Sequence, residues 1–294
     1  MPPTLADRAI RWFGTAARDL PWRRPDASPW GVLVSEVMLQ QTPVARVVPV
    51  YHDWLRRWPT AVALAAEPPG AAIAAWGRLG YPRRALRLHQ CAVAITTKHH
   101  GDVPRDLDAL LALPGVGAYT ARAVAAFAYR QRLPVVDTNV RRLVNRVHLG
   151  RADGGPNTTA ADLATVTALL PTSHERAARA SAAFMELGAL VCTARQPACH
   201  VCPLWRDCAW RLAGQPASTT RRRTQGYVGT DRQARGVLLA LVRAAPSGVA
   251  RTTVEDAWPD AGQRRRALDG LLADGLLVAI DVDRYGLPGV VTTS

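Results

Sequence analysis

The chain has 294 residues, 48% of them apolar, with 37 Lys and Arg against 23 Asp and Glu and a formal net charge of +14. No apolar run reaches the ~18 residues of a membrane span, and the opening Met1-Pro2-Pro3-Thr4 carries no signal-peptide core, so a soluble intracellular protein is expected. The positive excess points to a polyanion as partner, nucleic acid first, although Lys98 is the single lysine and a GC-rich genome would also favour arginine.

Most of residues 5–211 reads as helices punctuated by Pro and Gly, over 30–41, 43–57, 60–66, 70–78, 82–100, 106–112, 118–130, 139–148, 159–170, 174–190 and 203–212. The first of these holds Ser35-Glu36-Val37-Met38-Leu39-Gln40-Gln41-Thr42. Glu36 is the only charged residue between Asp26 and Arg46 and lies among Val32, Leu33, Val37 and Leu39. A carboxylate there either pairs with a buried arginine or has a raised pKa, and a raised pKa suits a general acid near neutral pH. Cys91, far from the other cysteines, reads as a buried apolar residue.

Leu113-Pro114-Gly115-Val116-Gly117-Ala118-Tyr119-Thr120-Ala121 joins two expected helices. Its glycines permit a tight turn, and the helix that follows presents backbone N–H groups and a positive dipole end that can grip a phosphate. An ordinary interhelical turn would use the same residues. Asp137, in Pro134-Val135-Val136-Asp137-Thr138-Asn139, ends an apolar stretch and opens a helix. It is an N-cap by position. It also suits a carboxylate held ionised by helix N–H groups and able to stabilise a cation, and the two roles are compatible.

Cys192, Cys199, Cys202 and Cys208 follow in the pattern C-x6-C-x2-C-x5-C. Short-range disulfides are disfavoured in a cytosolic chain. A Zn(Cys)4 site is chemically possible, but zinc sites usually use two C-x2-C pairs. The uneven loop fits a [4Fe–4S] cubane best, with His200 a bystander. Residues 212–230 are polar and rich in Gly, Ser and Thr, as expected of a linker. Helices are then expected over 232–244 and 262–274, with a short one between them whose Thr252 and Thr253 are spaced from Glu255 and Asp256 for capping boxes. The strand-like tail Leu276–Leu287 completes three helices and a small hairpin, the order of a winged helix.

Jointly, SEVMLQQT, LGYPRRA, LPGVGAYTA, VDTNVRRL and the cysteine loop resemble the MutY family of adenine DNA glycosylases, in the endonuclease III superfamily. The resemblance covers roughly residues 5–211, in the family's order and spacing. It implies a mainly α helix–hairpin–helix glycosylase with two helical lobes, a [4Fe–4S] cluster on Cys192, Cys199, Cys202 and Cys208, and a base flipped out for excision. It implies Glu36 as general acid on the adenine ring and Asp137 as stabiliser of the cationic sugar. Tyr119 would lie beside the sugar, Asn139 would position Asp137 or water, and Gln41 and Tyr81 would wedge into the duplex. Gly115, Val116 and Gly117 would hold DNA backbone.

In the endonuclease III branch the position of Tyr119 is a lysine that forms a Schiff base. Tyrosine has no amine, so a monofunctional glycosylase is implied. The chain departs from the family at Pro82, where a second tyrosine is common, and at Thr138, where glycine is common. Residues 231–294 are too few for the MutT-like domain with which many family members read 8-oxoguanine. The expected substrate is double-stranded DNA with A:8-oxoguanine or A:G mispairs, and the expected protein is a cytoplasmic, nucleoid-associated monomer. A glycosylase/lyase acting on oxidised pyrimidines and a non-catalytic iron–sulfur DNA-binding protein are the alternatives; Tyr119 and Glu36 weigh against the first, and Glu36 with Asp137 against the second.

Overall fold

The computed structural model describes residues 3–155, 157–218 and 226–289. Fifteen helices are described: α1 (Leu5–Ala16), α2 (Pro29–Leu39), α3 (Val44–Arg57), α4 (Ala61–Ala65), α5 (Pro69–Ala75), α6 (Arg83–Lys98), α7 (Leu107–Leu111), α8 (Ala118–Tyr129), α9 (Thr138–Leu149), α10 (Ala160–Leu169), α11 (His174–Leu190), α12 (Ala209–Leu212), α13 (Asp231–Ala244), α14 (Arg251–Asp256) and α15 (Ala261–Ala273). Three short strands, β1 (Val249–Ala250), β2 (Val278–Ala279) and β3 (Arg284–Gly286), and three 3-10 turns, at Pro21–Arg23, Cys199–Val201 and Trp205–Asp207, complete the described elements. No helix among them is long and apolar enough to cross a membrane.

Two compact units share the chain. One takes in Met1–Val32, Arg105–Leu111 and Gly117–Arg223; the other takes in Leu33–Pro104, Ala112–Val116 and Thr224–Ser294.

In the first unit, α1 opens with a capping box in which Thr4 Oγ1 accepts from Asp7 N at 3.1 Å and Asp7 Oδ2 from Thr4 N at 3.0 Å. Ala9, Leu143, Val147, Ala180, Phe184 and Leu187 bring α1, α9 and α11 into one core, against which Cys192 and Cys208 also pack. Inside it sits Glu186 of α11, fully buried. Its carboxylate accepts from Arg18 Nε and Nη2, both at 2.8 Å, and from Arg23 Nη2 at 3.0 Å. A buried carboxylate needs such partners.

The second unit is built on amphipathic helices. Val47, Tyr51 and Trp54 recur on one face of α3, and Leu88, Cys91 and Ile95 on one face of α6. Trp54 meets Trp58 and Trp76 edge-on, with ring centroids 4.7 and 5.7 Å apart. Cys91 is buried there, and burial pushes its thiol up to about 12. The C-terminal part follows the order helix, strand, helix, helix, hairpin: β3 lies between β1 and β2, antiparallel to both, with Val249 opposite Tyr285 and Val278 opposite Gly286. It rests on α5 and the segment after it. Arg243 donates through Nε to the Ile73 carbonyl at 2.9 Å and through Nη1 to that of Gly77 at 2.5 Å, and Gly70 N donates to the Pro288 carbonyl at 2.8 Å.

Three local expectations fail. Residues 203–212 are not one helix: single 3-10 turns at Cys199–Val201 and Trp205–Asp207 precede α12, so the chain winds around the cysteines. α14 begins at Arg251 with no side-chain cap. Its entry is fixed by strand pairing and by Arg251 N donating to the Asp283 carbonyl at 2.7 Å, so Thr252 and Thr253 lie inside the helix. α1 was not among the expected segments, although Thr4 and Asp7 had the spacing for its cap. The expected linker over 212–230 falls partly on 219–225, outside the described residues.

Candidate active site

Asp137 ends the apolar run Val135-Val136 and caps α9. Its Oδ1 accepts from Val140 N at 2.7 Å and its Oδ2 from Asn139 Nδ2 at 2.8 Å. The sequence suggested a carboxylate kept ionised by helix N–H groups. Burial outweighs them and raises the carboxyl above its ordinary value, while Val140, Asn139 and the nearby Arg142 charge act in the opposite direction. The cap therefore fixes the carboxylate's position, while its downward pull on the pKa is outweighed by burial.

Asn139 Oδ1 in turn accepts from Arg142 Nη2 at 2.8 Å. The same guanidinium donates through Nη2 to the Gly188 carbonyl at 2.6 Å and through Nε to the Cys192 carbonyl at 2.7 Å. Gly188 permits this: a Cβ there would stand 2.6 Å from the Asn139 carbonyl oxygen, so α11 can approach the first turn of α9 only without a side chain. Tyr119, half-buried at the start of α8, packs with Phe127 against Ala123, Ala126 and Val135, two residues before Asp137.

In the cysteine loop, Cys192, Cys199, Cys202 and Cys208 line one small pocket with Val147, Val191, Pro197 and Trp210 among its walls. Burial pushes the Cys202 thiol up to about 11, and the neighbouring Cys192, Cys208 and Cys199 add to the rise. Four clustered thiols, two of them (Cys192 and Cys202) shifted upward by burial, are suited to a cationic metal centre that stabilises thiolates. Arg146 of α9 supports the loop: Nη1 lies 3.5 Å from Cys192 Sγ and donates to the Thr193 carbonyl at 2.7 Å, while the guanidinium stacks 4.4 Å above the Trp210 ring. Among the described residues no three or more His, Cys, Asp or Glu side chains converge on a single ion. Four thiols drawn from one winding segment onto one pocket suit the corners of a cubane. His200 sits in a 3-10 turn beside them.

Glu36 lies in α2 of the other unit, 5% exposed, with Leu33 and Val37 buried beside it. Just beyond the helix, Gln41 and Tyr81 both adopt left-handed backbone, at φ 57° and 48°, and both are exposed. Non-glycine residues rarely do so without surroundings that hold them, and such positions cluster where side chains meet ligands. Buried Arg84 is that support. Its Nη1 donates to the carbonyls of Val37 (2.9 Å), Met38 (3.0 Å) and Gln40 (2.5 Å), and its Nη2 to Thr42 Oγ1 (2.9 Å) and the Gly80 carbonyl (3.1 Å). It thereby ties the exit of α2 to the turn before α6.

At the hairpin, Gly115 has φ 77°, a Cβ on it would meet Arg87 Cβ at 2.8 Å, and Val116 N donates to the Leu113 carbonyl at 3.1 Å. Gly117 has φ −91° and caps α8 without a side-chain bond, and a Cβ on it would meet nothing within 4 Å. Gly115 is thus demanded by the turn, whereas Gly117 leaves open space above a helix N-terminus. Sequence reasoning passed over Arg84, Arg142, Arg146 and Gly188. All but Arg146 and Gly188 lie within LGYPRRA or VDTNVRRL, but charge alone does not show that an arginine will be buried on carbonyl groups.

Residues 34–168 match the family described as HhH-GPD superfamily base excision DNA repair protein, and residues 192–208 match the iron–sulfur binding domain of endonuclease III. The adenine DNA glycosylase of Mycolicibacterium smegmatis is 56% identical over 95% of this chain and 94% of its own. That of Mycobacterium tuberculosis is 56% identical over 95% and 92%. The human adenine DNA glycosylase is 39% identical over 69% of this chain and 38% of its own. Among solved structures, a thermostable thymine-DNA glycosylase superposes with TM-score 0.64 at 26% identity, covering 71% of this chain and 95% of that one. A trapped endonuclease III–DNA covalent intermediate does so with TM-score 0.61 at 26% identity, covering 72% and 95%. The chain belongs to the adenine DNA glycosylases of the HhH-GPD superfamily, and its cysteine loop is a [4Fe–4S] binding domain.

Proposed function

We propose that this DNA-repair glycosylase excises adenine opposite 8-oxoguanine or guanine in double-stranded DNA and leaves the strand uncut. Its membership of the adenine DNA glycosylases makes it a base-excision enzyme; the choice of mispair and the roles of individual residues are the proposal. The observation that carries it is the capped carboxylate of Asp137, held between Val140 N and Asn139 in a chain that is 56% identical to adenine DNA glycosylases.

With the adenosine flipped out of the stack, Glu36 gives its proton to the adenine ring, and the electron pair of the breaking N-glycosidic bond leaves with the base. Asp137 stands against the positive charge that develops on the sugar. Water adds at the sugar carbon and its proton passes to a carboxylate. Asn139 keeps Asp137 oriented. Tyr119 lies beside the sugar but has no amine, so no Schiff base forms and the strand stays intact. The Gly115–Gly117 turn and the start of α8 hold a phosphate. Gln41 and Tyr81 fill the gap left by the flipped base.

Cys192, Cys199, Cys202 and Cys208 would hold the cluster, which when bound supplies a structural cross-link of the loop. Exposed Arg195 and Arg206 of the same loop would then face DNA phosphates. In the C-terminal part, Arg265 and Arg266 are the exposed members of the basic run. Arg264 donates to the Trp258 carbonyl at 2.6 Å, and Arg266 pairs with Asp231 at 3.1 Å on the surface, which leaves Arg265 as the member of the run with no hydrogen-bond or ion-pair partner among the described residues. A monomer acting at the chromosome in the cytoplasm completes the proposal.

The test is base release from duplexes carrying A:8-oxoguanine, A:G, A:C and A:T. Rapid release from the first two and little from A:T is expected. Equal release from all four, or release of a pyrimidine glycol instead, would refute the assigned specificity.

A further inference from the structure

The C-terminal part has no role in the chemistry above, yet one of its side chains reaches a residue placed at the DNA. Tyr81 is 45% exposed. Two guanidinium groups stand over its ring, Arg84 at 5.3 Å and Arg232 at 5.3 Å from the centroid. Arg84 is locked by five hydrogen bonds to carbonyl and hydroxyl oxygens. Arg232 comes instead from the first turn of α13, after the chain has returned from the other unit. Its guanidinium also lies 5.6 Å from the Tyr227 ring, so an exposed stack runs Tyr81, Arg232, Tyr227.

This contact has a firm base. Thr230 caps α13 by accepting from Gln233 N at 3.3 Å, and Arg243 at the far end of the helix holds the Ile73 and Gly77 carbonyls. Among the described residues no carboxylate pairs with Arg232, while the adjacent Asp231 is taken up by Arg266 and Gln263. The guanidinium is therefore free to stack, and it remains solvent-facing.

We propose that Arg232 is a positioning residue for mispair recognition: the C-terminal part holds the Tyr81 ring in the orientation that enters the duplex. The proposal rests on the wedge role given to Tyr81. A side chain set in left-handed backbone and stacked between cations loses less freedom on insertion than a free one. In this chain the C-terminal part would thus act on discrimination through an existing wedge, without contacting the partner base itself.

The test compares full-length wild type with Tyr81→Ala, Arg232→Ala, Arg232→Lys and the double alanine variant. Binding is measured to an A:G duplex containing 2′-fluoro-2′-deoxyadenosine, whose fluorine disfavours the cationic sugar, and to the matched duplex. The readout is the ratio of the two affinities. Arg232→Ala should lower that ratio by about 2–5-fold, the range of an exposed cation–π contact. Arg232→Lys should not restore it, because an ammonium lacks the planar stacking face. The double variant should be no worse than Tyr81→Ala. An equal loss on both duplexes would make Arg232 a phosphate contact and overturn the proposal. An unchanged ratio, or effects of Arg232→Ala and Tyr81→Ala that simply add, would also overturn it. If Tyr81→Ala itself leaves the ratio unchanged, the wedge assignment falls first, and this proposal with it.

Discussion

Arg142 joins Asn139 to the cysteine loop: its guanidinium donates to Asn139 Oδ1 at 2.8 Å and to the Cys192 carbonyl at 2.7 Å. Because Asn139 Nδ2 holds Asp137 at 2.8 Å, two side chains, Arg142 and Asn139, connect the first cluster ligand to the carboxylate assigned to the sugar. Buried polar networks of this kind fix geometry when every member is satisfied. The loop and the cap of α9 are therefore parts of one arrangement.

Asp137→Asn separates stability from catalysis. The folded carboxyl is raised above its ordinary 3.8, chiefly by burial. Ionising it thus costs folding free energy as pH rises from that ordinary value through the raised one, and the cost persists at pH 7. Asparagine also caps helices well. Thermal unfolding at pH 7 should show equal or greater stability for Asp137→Asn, while single-turnover excision is nearly lost. A destabilised variant with retained excision would leave Asp137 as a cap alone.

Glu36→Gln should lower excision by about 10²–10⁴-fold with mispair affinity nearly intact, because the amide keeps the shape and has no acidic proton to give. Excision at the wild-type rate, measured under single-turnover conditions, would make the carboxylate structural.

Much of this was legible in the sequence, for identifiable reasons. The helices announced themselves because their apolar residues recur at 3 and 4 positions, as Val47, Tyr51 and Trp54 do in α3. Asp137 and Gly115 were legible because a cap and a positive φ each demand particular residues. The 3-10 winding of 199–207 was not, since local propensity there yields to the placement of four sulfurs. Arg84, Arg142 and Arg146 stayed hidden because their partners are carbonyl groups, which every residue has. The reach of Arg232 to Tyr81 could not be read at all, because it depends on how distant segments pack.

Gly188→Ala tests the closeness of α11 and α9. Its Cβ would overlap the Asn139 carbonyl, with backbone rather than a flexible side chain in the way. The first turn of α9 must then shift. Excision is expected to fall at least about 10²-fold, the order lost on a 1 Å misplacement of a catalytic group. A crystal structure should show Asn139 displaced from Asp137. Unchanged excision would mean that the turn tolerates the shift.

Glu186 should govern acid stability. Its burial alone would raise the pKa, but Arg18 and Arg23 bring the carboxyl down to about 2 from an ordinary 4.5. A depressed folded pKa contributes stability that is fully present above 4.5 and is lost as pH falls toward about 2. Glu186→Gln should cost about 1–3 kcal/mol at pH 7, because it leaves the half-buried guanidinium groups of Arg18 and Arg23 uncompensated, with solvent screening part of the loss. The difference from wild type should shrink as pH falls through that window. Denaturant unfolding at several pH values measures both, and a constant difference would disprove the pairing.

The most direct measurement follows free adenine and strand breaks together, on one A:8-oxoguanine duplex in a single turnover, with and without alkali and with borohydride present. Adenine released at once, strand scission only after alkali, and no borohydride-trapped adduct is the predicted result for Glu36, Asp137 and an amine-free Tyr119. Scission in neutral buffer with a trapped covalent adduct, or no adenine released at all, would contradict a monofunctional adenine glycosylase.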